Sequence, residues 1–192
     1  MTMPTLHTSR LVLRPFVRSD AAAVQRLAGA REVASTTLMI PHPYEDGMAE
    51  TWIDGQAAAW ESGEVLSLAI ATEPDGLVGA IGLRITRQHQ RAELGYWIGV
   101  PYWNRGYATE AASAVVAYGF TELGLHRVVG RHFPRNPASG RVLTKVGMTH
   151  EGTSREHVVR WGVFEDLECY GILESEWLAS RTAASGPEPG AG

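Results

Sequence analysis

Three β-like runs joined by short polar links constrain the fold of this chain more than any other feature. The runs cover residues 65–71, 77–85 and 92–100. Residues 73–76, between the first two runs, read Glu-Pro-Asp-Gly, and residues 88–91 form a second polar link. The first of these links carries strong turn chemistry. Because such short links connect neighbouring antiparallel strands, the pattern predicts a three-stranded meander.

Helices and further strands flank this meander in the sequence. Ser19 is an N-cap candidate for a first helix, and Asn136 is an N-cap candidate for a later one. A helical stripe of small and apolar residues begins after Gly106 and ends at Gly124. The element order βααβββαβαββ predicts an α+β fold. Its elements fall at residues 11–15, 20–28, 45–61, 65–71, 77–85, 92–100, 107–123, 127–132, 137–146, 152–160 and 164–173.

The length of the chain predicts one domain with a trailing tail. The 192 residues are 44% hydrophobic, which is enough for a substantial core. Residues 1–181 are expected to form that single domain. Residues 182–192 end in Ser-Gly-Pro-Glu-Pro-Gly-Ala-Gly and lack an apolar anchor. This tail is therefore predicted to be disordered.

Composition also limits the partners. Lysine and arginine total 17 against 21 aspartates and glutamates, a net charge of −4, so there is no broad cationic surface for nucleic acid. No apolar run reaches the roughly 18 residues that a membrane span needs. The first ten residues lack a signal-peptide pattern, and the histidines lack metal-ligand spacing. Cys169, the single cysteine, suits a reducing compartment. We expect a cytoplasmic protein without a bound metal.

Residues 92–100 combine core-forming and ligand-facing features. Two-residue alternation places Ala92, Leu94, Tyr96, Ile98 and Val100 on one face, which is expected to be ordinary core. The other face carries Glu93, Gly95, Trp97 and Gly99. Glycine inside a strand often marks the close approach of a ligand. The alternative is a solvated glutamate on an edge strand weakened by glycine.

The segment that follows has the chemistry of an anion site. Residues 102–110 read Tyr-Trp-Asn-Arg-Gly-Tyr-Ala-Thr-Glu. A glycine loop that begins a helix presents unpaired N–H groups and the positive end of the helix dipole. Backbone donors from Arg105 to Ala108 would hold a diphosphate, with Gly106 allowing close approach and Arg105 adding charge. The alternative is a plain turn.

Two blocks of this sequence are similar to one family. Residues 103–108, Trp-Asn-Arg-Gly-Tyr-Ala, resemble the acyl-CoA pyrophosphate loop of the GNAT superfamily of N-acetyltransferases, whose motif is Q/R-x-x-G-x-G/A. Trp103 departs from that motif and resembles the RimJ/RimL-type branch. Residues 136–148 resemble the family block N-x-x-S-x-x-x-L-x-x-x-G-F/M. The resemblance extends from residue 8 to residue 177.

The resemblance implies a fold, a co-substrate and a set of site residues. The fold would be a mixed, mostly antiparallel central sheet with helices on both faces, and acetyl-CoA would donate an acetyl group to a primary amine. The implied acetyl-CoA-binding residues are Ile98, Val100, Arg105, Gly106, Tyr107, Ala108, Thr109, Asn136 and Ser139. Asn136 and Ser139 would lie along the pantetheine arm, although Asn136 would serve equally as a simple helix cap.

Catalytic roles follow from the demands of amine attack on a thioester. We expect Glu93 to act as general base, directly or through water, with Trp97 desolvating it; the alternative is that Glu93 only orients the amine. Many relatives protonate the leaving thiolate with a tyrosine whose position here is Leu143, so Ser139 is the replacement candidate. Main-chain N–H groups from Ile98 to Val100 would meet the developing oxyanion.

The acceptor remains open between several classes. A protein or peptide N-terminal α-amine is the leading hypothesis, and a small amine such as a polyamine, aminoglycoside or amino-acid derivative is the main rival. A non-catalytic acyl-CoA-binding sensor is a third. The acceptor pocket is expected among residues 36–44, the helix with Trp52, and the hairpin with Trp161. Acidic residues that would favour a cationic acceptor are Glu45, Asp46, Glu50 and Asp54. The resemblance also allows a homodimer.

Overall fold

The central sheet and the helices around it follow the predicted order closely. The computed structural model describes residues 2–184. The strands are β1 (Leu6–His7), β2 (Val12–Arg14), β3 (Val65–Thr72), β4 (Gly76–Thr86), β5 (Arg91–Ile98), β6 (Arg127–His132), β7 (Thr149–Arg160) and β8 (Val163–Leu173). The helices are α1 (Ala21–Ala28), α2 (Arg31–Ala34), α3 (Met48–Asp54), α4 (Gln56–Glu61), α5 (Tyr107–Thr121), α6 (Pro137–Lys145) and α7 (Glu174–Ala184).

Across residues 2–184 the strands form one eight-stranded sheet in the order β1-β2-β3-β4-β5-β6-β8-β7. Strands β5 and β6 pair in parallel, and the other neighbouring strands pair antiparallel. The predicted meander is β3-β4-β5. The predicted α+β class, with a mixed and mostly antiparallel sheet, is confirmed.

Helices cover both faces of the sheet. Alternate residues of a strand point to opposite faces, and each face packs against helices to form its own core. On β3, Leu68 and Ile70 join the main core, while Ala69 between them joins a smaller one. The main core packs against α5 and α6 through residues such as Val115 and Leu143. The smaller core packs against α1 and α3 through residues such as Val24, Ala28, Ala49 and Ile53.

Two predicted helix boundaries were wrong. Ser19 lies inside a short 3₁₀ turn, and α1 begins at Ala21. The reason is Asp20, whose carboxylate accepts hydrogen bonds from Arg14 Nη1 at 2.7 Å and Nη2 at 2.9 Å and so anchors the turn. The second predicted helix is divided at Gly55 into α3 and α4.

The C-terminal end of the described chain is a helix that sequence analysis missed. Helix α7 extends to Ala184, past the predicted domain boundary at residue 181. Its Trp177 packs on Phe120 of α5 with the ring centroids 5.5 Å apart, so a tertiary contact holds it. The rest of the predicted tail, residues 185–192, lies outside the described residues. Within residues 2–184 no helix has the length and apolar character needed to cross a membrane.

Candidate functional site

The parallel strands β5 and β6 separate partway along their length. Their pairing ends at Leu94 and Gly130, although β5 continues to Ile98 and β6 to His132. A Cβ atom placed on Gly95, the first residue past the pair, would meet nothing within 4 Å. The separation therefore leaves a gap between the two strands, which we call the strand gap (β5 beyond Leu94 and β6 beyond Gly130).

Glu93 lies beside the strand gap on the sheet face opposite α5. Its side chain is 42% exposed, and Arg131 Nη1 lies 3.9 Å from its Oε2 atom. It lines a cavity of about 280 Å³, which we call the Glu93 cavity. Trp97, which was expected to desolvate Glu93, packs in the smaller core and is not among the residues that line this cavity.

The opposite side of the strand gap carries a pair of hydroxyl groups. Tyr96 Oη lies 2.8 Å from Ser139 Oγ and donates to the Ser139 carbonyl oxygen at 3.1 Å. Burial raises the pKa of Tyr96 to about 12, and the hydrogen bond with Ser139 only partly opposes that effect. The phenol is therefore protonated at neutral pH. Sequence alternation assigned Tyr96 to ordinary core and missed this contact.

Asn136 and Ser139 share the first turn of α6. Asn136 is the N-cap of this helix, as predicted, and its Oδ1 atom accepts from Ser139 N at 3.4 Å. Pro137 follows the cap, in a position where its missing N–H costs nothing. One turn later, Leu143 is buried and packs over Gly130. The position where many relatives have tyrosine is therefore core in this chain.

The N-terminus of α5 presents unpaired donors. Gly106 is the N-cap, with φ of 80°, a conformation that favours glycine. Within residues 2–184, the N–H groups from Gly106 to Thr109 donate no hydrogen bond. The Arg105 guanidinium donates to the Pro101 carbonyl at 3.2 Å and lies 3.9 Å from Asp75. The loop thus has the free donors that a diphosphate requires.

Arg10 and Glu110 hold this loop in place, and sequence analysis missed both. Arg10 Nη1 donates to the Arg105 carbonyl at 2.9 Å, and its Nε atom donates to Glu110 Oε2 at 2.7 Å. Glu110 also accepts from Thr8 Oγ1 at 2.6 Å and Ser9 Oγ at 3.0 Å. Burial alone would raise the pKa of Glu110, but these hydrogen bonds lower it to about 2. The carboxylate is therefore ionised and anchors the start of α5.

Trp103, the departure from the family motif, has a structural role. Its Nε1 atom donates to the Ile98 carbonyl at 2.6 Å. Gly99 N–H donates to Val78 O at 2.9 Å and is not free. Because an antiparallel ladder alternates, the N–H of Ile98 points away from β4, towards the strand gap. Of the predicted oxyanion donors, Ile98 and Val100 remain available, and Gly99 does not.

The β7–β8 hairpin closes over the loop between α2 and α3. The Arg160 guanidinium donates to the carbonyls of Ala34 at 2.6 Å, Ile40 at 2.7 Å and Leu38 at 3.1 Å. Residues 36–44 and the β7–β8 hairpin, which were both expected to frame the acceptor pocket, are thus in contact. Trp52 packs edge-to-face on Phe16 with the ring centroids 4.8 Å apart, and it contacts the same smaller core as Ile40 and Tyr44 of the loop.

A second cavity lies beside α6, and Cys169 lines the first. Arg141 and Lys145 line the second cavity, of about 380 Å³, together with Tyr170. Cys169 is half-buried and lines the Glu93 cavity. Residues 2–184 contain no group of three or more His, Cys, Asp or Glu side chains arranged to hold a metal ion.

Comparisons with known proteins identify the relatives of this chain. Residues 10–149 match the family model described as acetyltransferase (GNAT) domain. The uncharacterized N-acetyltransferase YoaA of Bacillus subtilis is 33% identical over 173 residues, which cover 89% of this chain and 97% of YoaA. The FsC-acetyl coenzyme A-N(2)-transacetylase of Aspergillus fumigatus is 28% identical over 91% of this chain and 78% of its own.

A solved structure extends the comparison to three dimensions. The structure of Mycobacterium smegmatis RimJ in complex with CoA-disulfide superposes with a TM-score of 0.79 at 27% identity. The match covers 92% of this chain and 89% of that one.

Proposed function

Since the chain belongs to the GNAT acetyltransferase family and is an acetyl-CoA-dependent N-acetyltransferase, we propose that it acetylates the N-terminal α-amine of a protein or peptide, in the manner of the RimJ/RimL branch. The proposal takes residues 1–181 as one acyl-CoA N-acyltransferase domain. An acceptor made by ribosomes would place the reaction in the cytoplasm.

The strand gap is the observation that carries the proposal. Glu93 lies beside it on one sheet face, and the Tyr96–Ser139 pair lies on the other. An amine that approaches from the Glu93 face would meet a thioester that approaches from the α5 and α6 face. The two reactants would then be held on opposite sides of the reacting carbon, as direct transfer requires.

The residues around the strand gap suit the parts of acetyl-CoA. The free N–H groups of Gly106, Tyr107, Ala108 and Thr109, with the charge of Arg105, would hold the diphosphate. Asn136 and Ser139 would lie along the pantetheine arm. The N–H groups of Ile98 and Val100 would stabilise the charge that develops on the thioester oxygen.

Glu93 is the base that accepts the amine proton, directly or through one water. An α-amine has a pKa of about 7.7–8.0, whereas a lysine amine has one of about 10.4. The α-amine therefore loses its proton far more easily at neutral pH, and an exposed carboxylate such as Glu93 is a sufficient base. This difference favours an N-terminus over a lysine side chain.

Ser139 assists the leaving thiolate, and Tyr96 positions Ser139. A thiol has a pKa of about 8.5, so the thiolate leaves with little help. A hydrogen bond from Ser139 Oγ to the sulfur would supply that help, and Tyr96 Oη would then donate its proton to Ser139 Oγ, 2.8 Å away. Tyr96, protonated at neutral pH, holds the serine in place from the side of β5.

The likeness to RimJ supports a protein N-terminus as acceptor, and the likeness to the transacetylase keeps a small amine as the rival. The test is release of CoA thiol from acetyl-CoA over a panel of short peptides with different first residues, polyamines, aminoglycosides and amino acids. Mass spectrometry identifies each product. Turnover of peptides alone is the expected result, and turnover of small amines alone would replace the proposal with its rival.

A further inference from the structure

The Glu93 cavity is lined mainly by arginine. Its wall carries four guanidinium groups and two carboxylates, from Arg84, Arg91, Arg127, Arg131, Glu93 and Glu151. The remaining polar or thiol side chains of the wall are Thr86, Cys169 and Tyr170, and none of them is a carboxylate or a guanidinium group. The cavity that the base faces therefore has an excess of positive charge.

The two carboxylates already face arginines. Glu151 Oε1 accepts from Arg127 Nη2 at 2.6 Å, and Glu93 Oε2 lies 3.9 Å from Arg131 Nη1. In the described part of the chain, Arg84 and Arg91 have no carboxylate within ion-pair distance. Both are exposed. Two guanidinium groups beside the base are thus available to a ligand.

Strand register sets how far these two groups lie from Glu93. Arg84 pairs directly opposite Glu93 across β4 and β5, a relationship that separates Cβ atoms by about 4.5–5.5 Å. Arg91 precedes Glu93 by two residues on the same face, which corresponds to about 6.6 Å along the strand. Consecutive residues of an extended peptide are about 3.8 Å apart at Cα. A peptide whose amine lies at Glu93 and whose chain follows β5 towards Arg91 would place its first two residues beside Arg84 and Arg91.

We infer that the acceptor is an amine that carries a carboxylate close to the reacting nitrogen, with Arg84 and Arg91 as the residues that bind this carboxylate. The inference rests on the proposed function, because it takes Glu93 as the group that receives the amine. Guanidinium groups match the geometry of a carboxylate and hold it by charge-assisted hydrogen bonds. The carboxylate would come from an acidic side chain at peptide residue one or two, or from a small amino acid.

The same charges disfavour a polycationic acceptor. The acidic residues that sequence analysis assigned to a cationic acceptor do not line the Glu93 cavity. Asp46 accepts a hydrogen bond from Gln25 at 2.8 Å, and Asp54 faces Arg18 at 3.9 Å. Both acids therefore have their partners at α1 or in the turn before it.

The test compares matched acceptors that differ only in charge. Peptides with Asp or Glu at residue one or two are paired with the same peptides carrying Asn or Gln, and free amino acids such as glycine and alanine are paired with their carboxamides. We expect kcat/KM to favour the acidic member by roughly 10- to 100-fold, since a hydrogen bond to a charged group has about that effect. Preference among peptides points to a protein N-terminus as the source, and preference among free amino acids points to a small molecule.

Charge reversal sharpens the test. Arg91→Glu is expected to abolish the preference for acidic acceptors and to favour peptides with lysine at residue one or two. Arg84→Gln is expected to weaken the preference for acidic acceptors. Arg26→Gln, an exposed arginine of α1 that does not line the cavity, is the matched control and should leave the preference unchanged. Equal use of acidic and amide acceptors by the wild-type protein would overturn the inference and leave acetyl transfer to amines intact.

A binding measurement separates this inference from the proposed function. Titration of the CoA-saturated protein with the Asp and Asn peptides, and with an amino acid and its carboxamide, reports selectivity without turnover. Acid-selective binding that Arg91→Glu abolishes would sustain the inference even if no panel member is acetylated. Binding without acid selectivity, or no binding of any of these ligands, would overturn it.

Discussion

Tyr96 Oη and Ser139 Oγ lie 2.8 Å apart and join β5 to α6 beside the strand gap. The two residues are 43 positions apart in the chain. Leu143, where many GNAT relatives have tyrosine, is buried against Gly130. The hydroxyl pair is thus the polar feature of α6 closest to the expected place of the thioester sulfur.

We expect Tyr96→Phe and Ser139→Ala each to lower kcat by about tenfold, the effect of one neutral hydrogen bond. The double variant should cost little more than either single variant, because both changes disrupt the same contact. The measurement is steady-state kcat together with acetyl-CoA affinity, which should change little in Tyr96→Phe. Tyr118→Phe, which removes a hydroxyl from the C-terminal half of α5, is the control. Fully multiplicative losses in kcat would contradict coupling of the two residues.

Glu93→Gln is expected to lower kcat by roughly 100- to 10,000-fold, the usual contribution of a general base. The acetyl-CoA affinity should be nearly unchanged, because the proposed diphosphate site is formed by the N-terminus of α5 and does not include Glu93. Single-turnover kinetics and calorimetric titration with acetyl-CoA measure the two quantities. Glu122→Gln at the end of α5 is the control. Unchanged turnover would remove Glu93 as base, and a pure rise in KM would reassign it to amine orientation.

Gly106→Val is expected to weaken acetyl-CoA binding by about tenfold or more, because a side chain at φ of 80° both strains the backbone and covers the free N–H groups. Gly124→Val is a matched control at φ of 62°, with open space around its Cβ position. Both variants should lose similar stability, and only the first should lose acetyl-CoA affinity, as measured by calorimetry. Wild-type affinity in Gly106→Val would refute the loop assignment.

Glu110 makes stability depend on pH in the acid range. Its folded pKa of about 2 lies below the ordinary value of 4.5, so its contribution is present above pH 4.5 and is lost as pH falls towards 2. We expect this loss to be about 1 kcal/mol after solvent screening. Urea unfolding at pH 6, 4 and 3 should show a shallower acid slope in Glu110→Gln than in the wild type. An unchanged slope in Glu110→Gln would contradict the assignment.

Arg160→Met is expected to loosen the loop between α2 and α3 from the hairpin, since three carbonyls lose their donor. The KM for peptide acceptors should rise about 10-fold, the lower end of the effect of a lost charged hydrogen bond, because Arg160 acts on the loop and not on the acceptor itself. Acetyl-CoA affinity should stay the same. Arg155→Met, an exposed position on the same hairpin, is the control. A changed acetyl-CoA affinity with unchanged acceptor KM would contradict a role on the acceptor side.

Much of the fold could be predicted because its signals are local. The meander β3-β4-β5 follows from period-two alternation and turn residues, and the cap of α6 follows from Asn136. Glu93 and Gly106 were found in the same way, since each lies in a short segment with its own chemistry. Helix α7 was missed because its Trp177 depends on a contact with Phe120, far back in the chain.

The sequence by itself determined which segments become strands or helices and that a glycine loop with free donors follows the Glu93 strand. The tertiary structure alone decided that Tyr96 meets Ser139, that Arg10 and Glu110 anchor the loop across about 100 residues of chain, and that arginines from several strands surround Glu93. The physical reason is the distance along the chain over which each kind of signal acts. Local periodicity reports the face on which a side chain lies, whereas a hydrogen bond or a shared cavity depends on how distant segments pack together.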